Sequence, residues 1–250
     1  MFERQIQWVA DKVHDPNLNV VFVSQLGDLT DNGSLQWQFD NAKNAMFKLD
    51  NLVPYAIAPG NHDCMVRGNL DYSLLDQNFL TSKYASQSWF GGTYQANHYE
   101  NNYELFNVDG MEFVIIHMAF NPSPVVRTWA SSILNQYPNR RGIISTHEYL
   151  PVNGGPTAVG TSIWNDVVKS HANVFLVLCG HNHGENTNIT KNDAGNTVYQ
   201  FLTDYQNDNP QTGRLRTYTF NPGQNSITAN TYATETGLSS TNFTVSYQMK

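Results

Sequence analysis

Four polar motifs in this chain each follow an apolar segment rich in β-branched residues. They are Gly27-Asp28-Leu29-Thr30-Asp31, Gly60-Asn61-His62-Asp63, Thr146-His147-Glu148 and Gly180-His181-Asn182-His183. An apolar run that stops at glycine and polar residues is typical of a buried strand ending at a sheet edge, and the first such strand is predicted over 20–23. In open α/β sheets, the crevice outside the carboxyl ends of the strands collects functional side chains. We therefore expect the four motifs to lie together.

Amphipathic helices and later hairpins are predicted around these strands. Apolar residues recur at helical spacing over 2–13 and over 35–49, and Ser34 precedes the second helix as a cap. Turns are predicted at Gly91-Gly92 and at Asp109-Gly110, between segments that alternate like antiparallel strands. Strands that alternate with helices and are followed by antiparallel strands predict an α/β fold with mixed sheets covered by helices.

Length and composition limit the function classes. A chain of 250 residues fits a single domain over 1–250. The net charge is −7 and basic runs are absent, so we expect no binding to a nucleic-acid polymer. An 18-residue apolar span is also absent, so no membrane span is predicted. The two cysteines, Cys64 and Cys179, are too few for a disulfide framework, and we predict buried thiols in preference to a single disulfide.

The donor atoms in the four motifs suit a metal site. Imidazole, carboxylate and amide groups favour divalent ions such as Zn, Mn or Fe, and thiolates are not among them. Each motif alone also has a structural interpretation: Asp28 in a common turn, Asn61 at positive φ, and His147 as an ordinary strand-end histidine. The two histidines that follow Gly180 are more specific, because side chains one residue apart after a glycine can turn toward one centre.

Together the motifs resemble those of the calcineurin-like metallophosphoesterases, whose pattern runs GD, GNH[DE], a single His and GHxH. The resemblance covers roughly residues 20–205. It implies a four-layer αββα sandwich of mixed β-sheets flanked by helices, with two divalent metal ions (Mn, Fe, Zn or similar) at the sheet edge.

The resemblance also implies roles for individual residues. Asp28 would bridge the two ions. The ligands implied for one ion are Asn61, His147 and His181, and the ligand implied for the other is His183. His62 would face the substrate as a proton donor to the leaving oxygen or as a stabiliser of charge, with Asp63 orienting it.

Several further residues are candidates for substrate contact or for supporting the ligands. Asp31 or Glu148 would fix the tautomer of a ligating histidine. His117 either points into the same crevice or is a strand-end histidine. Arginines that either meet a phosphate or are merely solvated are Arg67, Arg127, Arg140 and Arg141.

The chain departs from the family pattern at its start. The family begins with a strand bearing D-x-H or D-x-Q, and this chain begins with the predicted helix that follows it. We therefore expect an N-terminally truncated domain that lacks the first central strand, with one metal site incomplete. Asp204 and Gln206 form a D-x-Q late in the chain. We expect them to line the pocket or a turn, and the alternative is that they replace the missing ligands. A gap in the fold, or pairing with a neighbour that covers it, is the alternative explanation.

The expected function is hydrolysis of phosphate mono- or diesters by attack of a metal-bound hydroxide. Substrates would be small-molecule or lipid-head-group phosphoesters. The alternatives are a catalytically impaired metal- or ligand-binding protein with an incomplete dinuclear site, and a chain that is stable only within a larger protein. A secreted or periplasmic location is favoured if a signal peptide lies upstream, and a cytoplasmic one otherwise.

Overall fold

The computed structural model describes residues 1–66, 68–207 and 213–249. Its α-helices are α1 (Phe2–Lys12), α2 (Gln36–Met46), α3 (Ser73–Asn78), α4 (Thr81–Tyr84), α5 (Pro124–Gln136) and α6 (Ala158–Ile163). Its strands are β1 (Val23–Gln25), β2 (Tyr55–Ile57), β3 (Phe90–Thr93), β4 (Asn102–Val108), β5 (Met111–Met118), β6 (Arg141–Thr146), β7 (Val174–Cys179), β8 (Gly184–Lys191), β9 (Thr197–Asp204), β10 (Arg214–Asn221), β11 (Ser226–Ala233) and β12 (Leu238–Ser246). These elements form two compact units.

The larger unit comprises residues 23–43 and 55–204 and contains two sheets. One has seven strands in the order β3-β4-β5-β6-β7-β9-β8. Its centre, β5-β6-β7-β9, is parallel, and β3, β4 and β8 add antiparallel edges. The second sheet is the parallel pair β1-β2. The mixed α/β fold predicted from the sequence is confirmed.

One face of the seven-stranded sheet is buried beneath α5 and α6. Ile133 and Leu134 of α5 and Ile163 of α6 pack with strand residues such as Ile116 and Val177 in one apolar cluster. A continuous apolar strand is expected where helices cover a parallel sheet, and all six residues of β7 are buried. This burial holds the carboxyl ends of β6 and β7 in fixed register.

The other face of this sheet meets β1 through polar contacts. Ser24 Oγ on β1 lies 2.9 Å from His117 Nε2 on β5 and 2.8 Å from Ser145 Oγ on β6. Asn102 Nδ2 on β4 also donates to the carbonyl oxygen of Ile57 on β2 at 3.2 Å. The two sheets of this unit are therefore packed face to face.

The smaller unit comprises residues 1–22, 44–54 and 205–249 of the described chain. It contains α1 and the antiparallel sheet β10-β11-β12. Trp8 of α1 packs against Tyr232 of β11 with ring centroids 4.9 Å apart, and Gln5 Nε2 donates to the carbonyl oxygen of Arg214 at 2.6 Å. These contacts attach the first helix to the last sheet of the chain.

Some local predictions differ from the structure. Gly91-Gly92 lies inside β3 and is not a turn, because a side chain at Gly91 would overlap the ring of Tyr103 on β4. The first strand covers Val23–Gln25, later than the predicted 20–23, because the pairing with β2 begins at Val23 opposite Tyr55. The helix predicted over 35–49 with a Ser34 cap covers Gln36–Met46. The turn at Asp109-Gly110 and the helix over 2–13 are confirmed.

Two further findings bear on the sequence analysis. Cys64 and Cys179 are both buried and free, as predicted. Within the described ranges, no helix is long and apolar enough to cross a membrane. The single domain over 1–250 and the missing first strand stay predictions.

Candidate metal and phosphoester site

The polar side chains of the four motifs meet at the strand ends of the larger unit. Asp28 and Asn61 lie shortly after β1 and β2, and His147 and His181 shortly after β6 and β7. Asp28, His147 and His181 each offer one ligand atom, and the three atoms lie within 4.8 Å of one another. The convergence predicted from the sequence is therefore observed for these residues.

The distances in this group centre on His147. Its Nε2 lies 3.1 Å from Asn61 Oδ1, 3.1 Å from His181 Nδ1 and 3.4 Å from Asp28 Oδ1. We call these four residues the strand-end cluster. The His147 and Asp28 side chains are 2% and 6% exposed, so little water can separate the four atoms.

The tautomer of His147 makes this arrangement suitable for a cation. Its Nδ1 lies 2.7 Å from the carbonyl oxygen of Leu26, so Nδ1–H donates there. In the neutral ring, Nε2 then carries a lone pair and faces the acceptor oxygens of Asn61 and Asp28. A proton on Nε2 would bond to Asp28 Oδ1, and a divalent ion bound in place of that proton would contact the same nitrogen and oxygens. The donor set of the strand-end cluster thus fits a divalent ion.

The backbone is strained at two members of the cluster. Asp28 has φ 52° and His181 has φ 68°, in the left-handed region that side chains other than glycine seldom adopt. Gly27 precedes Asp28 with φ 101°, and a side chain there would overlap the His147 ring. Gly60 is equally constrained, because a Cβ atom on it would overlap the Asp28 carboxylate. Strain of this kind is concentrated at functional sites.

Gln25 holds the turn that leads to Asp28. Its Nε2 donates to the carbonyl oxygen of Gly27, and its Oε1 accepts from the Gly27 amide, both at 2.7 Å. This two-point contact fixes the glycine immediately before the predicted bridging ligand. Gln25 was not among the predicted site residues. The signal in the sequence is that Gln25 ends the apolar segment just before Leu26 and the Gly27-Asp28 pair.

His62 lies on the short 3₁₀ turn that follows β2. Its amide donates to Asp28 Oδ1 at 3.1 Å, and its ring Nδ1 lies 2.9 Å from the carbonyl oxygen of Asp31. Nδ1–H therefore donates to Asp31, and Nε2 is the nitrogen at which the ring gains a further proton. The His62 side chain is 27% exposed, so the ring remains reachable from solvent.

Asp63 is buried and braces the loops rather than the His62 ring. Its Oδ1 accepts from the Thr30 amide at 2.9 Å, and its Oδ2 accepts from the Gly60 amide at 2.9 Å. The role of orienting His62, which the sequence analysis gave to Asp63, belongs in the structure to Asp31. The physical reason is burial: Asp63 is 0% exposed and satisfies backbone amides beneath the turn.

The charges of the cluster influence one another. Burial raises the pKa of Asp28, but the hydrogen bond and charge of His147 lower it by more, so the net pKa is below its usual value. Burial lowers the pKa of His147, and the Asp28 carboxylate more than offsets this. Burial and then the charge of His147 lower the pKa of His181. Burial and then the charge of Asp28 raise the pKa of Asp63 to about 6.

His183 lies apart from the three-ligand group. Its Nδ1 is 3.4 Å from Asp204 Oδ1, and its side chain is 41% exposed. Among the described residues, no third side chain joins this pair as a candidate ligand set. The role of His183 as ligand of a second ion stays a prediction. Glu148 is half-buried, and its charge raises the pKa of His181, so it lies beside the cluster.

His117 is fully buried and does not line the crevice. Its Nδ1 lies 2.9 Å from Glu104 Oε2, and its Nε2 lies 2.9 Å from Ser24 Oγ, which in turn contacts Ser145 Oγ. We call these four residues the His117 relay. Of the two interpretations of His117, the structure supports the structural one.

Two of the candidate arginines, Arg127 and Arg140, bind residues outside the strand-end cluster. Arg127 Nε donates to Asp166 at 2.7 Å, and Arg140 donates to Asn107 at 2.9 Å and to the Phe113 carbonyl oxygen at 3.1 Å. Arg67 lies outside the described residues. Phe120, which the sequence analysis also missed, stands beside the cluster with its ring centroid 5.2 Å from that of His181. It follows β5, so strand-end position would have indicated it.

The family comparison agrees with this geometry. The family model described as "Calcineurin-like phosphoesterase" matches residues 2–185. The chain belongs to this family. Calcineurin-like phosphoesterases are metalloenzymes as a class, and the strand-end cluster offers nitrogen and oxygen donors of the type that divalent ions require.

Two individual proteins are similar to this chain. The uncharacterized protein YvnB of Bacillus subtilis (strain 168) is 29% identical over 244 residues, which cover 93% of this chain. The chain spans only 18% of the length of that relative. The crystal structure of TT1561 of Thermus thermophilus matches with a TM-score of 0.45 and 10% identity, covering 96% of this chain and 91% of that one.

Proposed function

We propose that this chain hydrolyses phosphate mono- or diesters with the help of divalent metal ions held at the strand-end cluster. One observation carries the proposal: His147 Nε2 lies 3.1 Å from Asn61 Oδ1 and 3.4 Å from Asp28 Oδ1, so nitrogen and oxygen donors meet at one point. Membership of the calcineurin-like phosphoesterase family supports it. Asp28, Asn61, His147 and His181 would hold one ion, and His183 with Asp28 would contribute to a second.

Divalent ions bound there would supply positive charge to the phosphoryl oxygens and lower the pKa of a water molecule at the site. The protein's own contribution is positioning. Leu26 orients the His147 ring through its carbonyl oxygen, and Gln25 holds Gly27 in the conformation that aims Asp28. Such supporting contacts keep ligands oriented before an ion or substrate arrives.

His62 would act on the leaving group. Because Nδ1–H is directed at the Asp31 carbonyl oxygen, a protonated ring presents its second proton at Nε2. That proton can pass to the leaving oxygen as its bond to phosphorus breaks, or stay on the ring and stabilise the developing charge. The partial exposure of His62 supports a position that a substrate can reach.

The proposed substrates are small-molecule or lipid-head-group phosphoesters. The net charge of −7 gives a long polyanion no general electrostatic attraction, which argues against a nucleic-acid polymer. The second candidate function is metal or ligand binding without turnover. The observation that favours it is His183, which forms no three-residue ligand set with Asp204 among the described residues.

Metal content and hydrolysis, measured on the same preparations, test the proposal. The purified chain, stripped with a chelator and reloaded separately with Mn²⁺, Zn²⁺ and Fe²⁺, is assayed with p-nitrophenyl phosphate and bis(p-nitrophenyl) phosphate. The proposal expects turnover that depends on the added ion and falls by about two orders of magnitude in His62→Ala. The exposed His14→Ala is the matched control and should behave like the unmodified chain.

The two candidate functions give different results in this experiment. Bound metal without turnover under any added ion, equal in the native chain and in His62→Ala, would favour the binding function. Turnover that survives both chelation and Asp28→Asn would contradict a metal-dependent reaction at this cluster.

A further inference from the structure

A second group of candidate metal ligands lies on elements that the four motifs do not include. Asp76 is on α3, and His98 and Glu100 are on the connection between β3 and β4. One ligand atom from each of the three lies within 4.8 Å of the others. We call these residues the α3 cluster. None of them belongs to the sequence motifs of the proposed hydrolytic site.

Asp76 and His98 are held in place by contacts that use both Asp76 oxygens. His98 Nδ1 lies 2.8 Å from Asp76 Oδ2, and the amide of Tyr99 donates to Asp76 Oδ1 at 2.7 Å. The Asp76 side chain is 11% exposed and the His98 side chain 41% exposed. Asp76 Oδ1 is therefore fixed by the Tyr99 amide, and the His98 ring is partly open to solvent.

Glu100 is a surplus carboxylate beside this pair. Its Oε2 is 3.7 Å from His98 Nδ1, too far for a hydrogen bond. That oxygen is buried and accepts no hydrogen bond from the described residues, although the carboxyl group can share a proton with Asp76. Two carboxylates held side by side repel each other when both are charged.

The His98 ring serves the two carboxylates unequally, with Nδ1 2.8 Å from Asp76 Oδ2 and 3.7 Å from Glu100 Oε2. A cation among the three atoms would contact both carboxylates and the imidazole at once. We propose that the α3 cluster binds a divalent metal ion, separate from the proposed hydrolytic centre.

The donor set restricts the kind of ion. Ca²⁺ and Mg²⁺ prefer shells made of oxygen, whereas an imidazole with two carboxylates suits Zn²⁺ or a similar borderline ion. Zn²⁺ is commonly four-coordinate, and the exposed side of His98 leaves room for water as the fourth ligand. The site would therefore take Zn²⁺ in preference to Ca²⁺.

An ion here would connect α3 to the chain segment that precedes β4. That segment is anchored by Tyr99, whose ring stacks on Tyr84 with centroids 4.8 Å apart and whose carbonyl oxygen accepts from Asn102 Nδ2 at 2.7 Å. Because its ligands come from two separate elements, the ion would restrain their relative movement. We expect it to stabilise this region without taking part in hydrolysis.

Zinc binding by the full chain tests the proposal. Equilibrium dialysis against Zn²⁺ with elemental analysis is applied to the native chain and to Glu100→Gln and His98→Gln. The expected result is one zinc equivalent fewer in each variant, or at least a tenfold weaker Kd for that equivalent, with turnover within twofold of the native chain. The matched controls are Glu185→Gln and His14→Gln, both at exposed positions.

A second measurement separates this site from the hydrolytic one. In the double variant that combines Asp28→Asn with His181→Ala, the zinc equivalent of the α3 cluster should persist and Zn²⁺ should still raise the Tm. Unchanged zinc stoichiometry and affinity in Glu100→Gln would overturn the proposal, leaving the cluster as a histidine–carboxylate pair. Glu100→Gln retains the shape of a residue whose Oε2 accepts no hydrogen bond from the described residues, so this variant decides the question even if His98→Gln fails to fold.

Discussion

Two groups of polar residues are centred on His117 of β5 and on His147, which follows the adjacent parallel strand β6. They differ in the hydrogen-bonding groups that face the imidazole ring. In the His117 relay, donors and acceptors alternate: Glu104, His117, Ser24 and Ser145 are joined by contacts of 2.8–2.9 Å. In the strand-end cluster, His147 Nε2 faces acceptor oxygens and another imidazole nitrogen at 3.1–3.4 Å.

The difference separates a histidine in a buried hydrogen-bond chain from a histidine that we propose as a metal ligand. Burial raises the pKa of Glu104 well above its ordinary value and lowers that of His117 to about 3, so both groups are neutral and one proton is shared along the relay. This buried polar network links the two sheets, although Glu104 Oε1 makes no hydrogen bond to a described residue. In the strand-end cluster, the corresponding proton would lie between His147 Nε2 and Asp28, and the proposed divalent ion would take its place.

The largest expected effect is on the strand-end cluster itself. His181→Ala or Asp28→Asn should lower both metal affinity and turnover by at least about 100-fold, since even residues that only orient ligands contribute 10–100-fold. Elemental analysis and the bis(p-nitrophenyl) phosphate assay measure the two losses. Full metal content and activity in both variants would contradict a metal-binding role for the strand-end cluster.

Removing the relay histidine should affect stability and not metal binding. His117→Ala leaves Glu104 and Ser24 without their shared partner, which predicts a loss of about 3 kcal/mol in the free energy of unfolding. Urea unfolding monitored by circular dichroism measures it. Loss of bound metal from the folded variant, with unchanged stability, would contradict a purely structural role for His117.

The pH dependence of stability sharpens the assignment of the relay proton. The folded relay holds one proton, whereas in the unfolded chain Glu104 and His117 titrate near 4.5 and 6.5. Above pH 6.5 the unfolded pair holds fewer protons than the folded pair, so this contribution to stability falls as pH rises, by roughly 1 kcal/mol per pH unit. Below pH 4.5 the unfolded pair holds more protons, and stability falls again.

Glu104→Gln isolates this alkaline loss. The amide can still donate to His117 Nδ1 but does not titrate, so the difference in unfolding free energy between native chain and variant should shift in favour of the variant from pH 6.5 to 8.5. A difference that stays constant over that range would show that Glu104 is ionised in the folded protein.

The smallest expected effect concerns Gln25. Gln25→Ala removes both contacts that hold Gly27, and we expect metal affinity to fall about tenfold because Asp28 is less well oriented. Isothermal titration with Mn²⁺ measures this change. The exposed Gln136→Ala serves as control, and equal affinities in the two variants would remove Gln25 from the supporting contacts.

The meeting of the motifs could be predicted from the sequence because its cause is local. An apolar run followed by glycine marks a strand end, and parallel strands bring such ends together. Asp28, Asn61, His147 and His181 were found in this way. His62 was found only through its motif, since nothing in the spacing distinguishes a ligand from a neighbouring substrate contact.

What the sequence analysis missed depends on partners far along the chain. The α3 cluster joins Asp76 to His98 and Glu100 across irregular segments that have no periodicity. Gly91 was mistaken for a turn because its role is to admit the ring of Tyr103 from the next strand. Residues of this kind become interpretable only when the packing is known.

The contact between His147 and the carbonyl oxygen of Leu26 joins residues 121 positions apart. The contact requires β1 to lie on the larger sheet, and bringing together residues so far apart in the sequence costs loop-closure entropy. Any ion held by His147 and Asp28 therefore reports that the two sheets have come together. Chains in which the two sheets have not yet come together would lack this arrangement of His147 and Asp28.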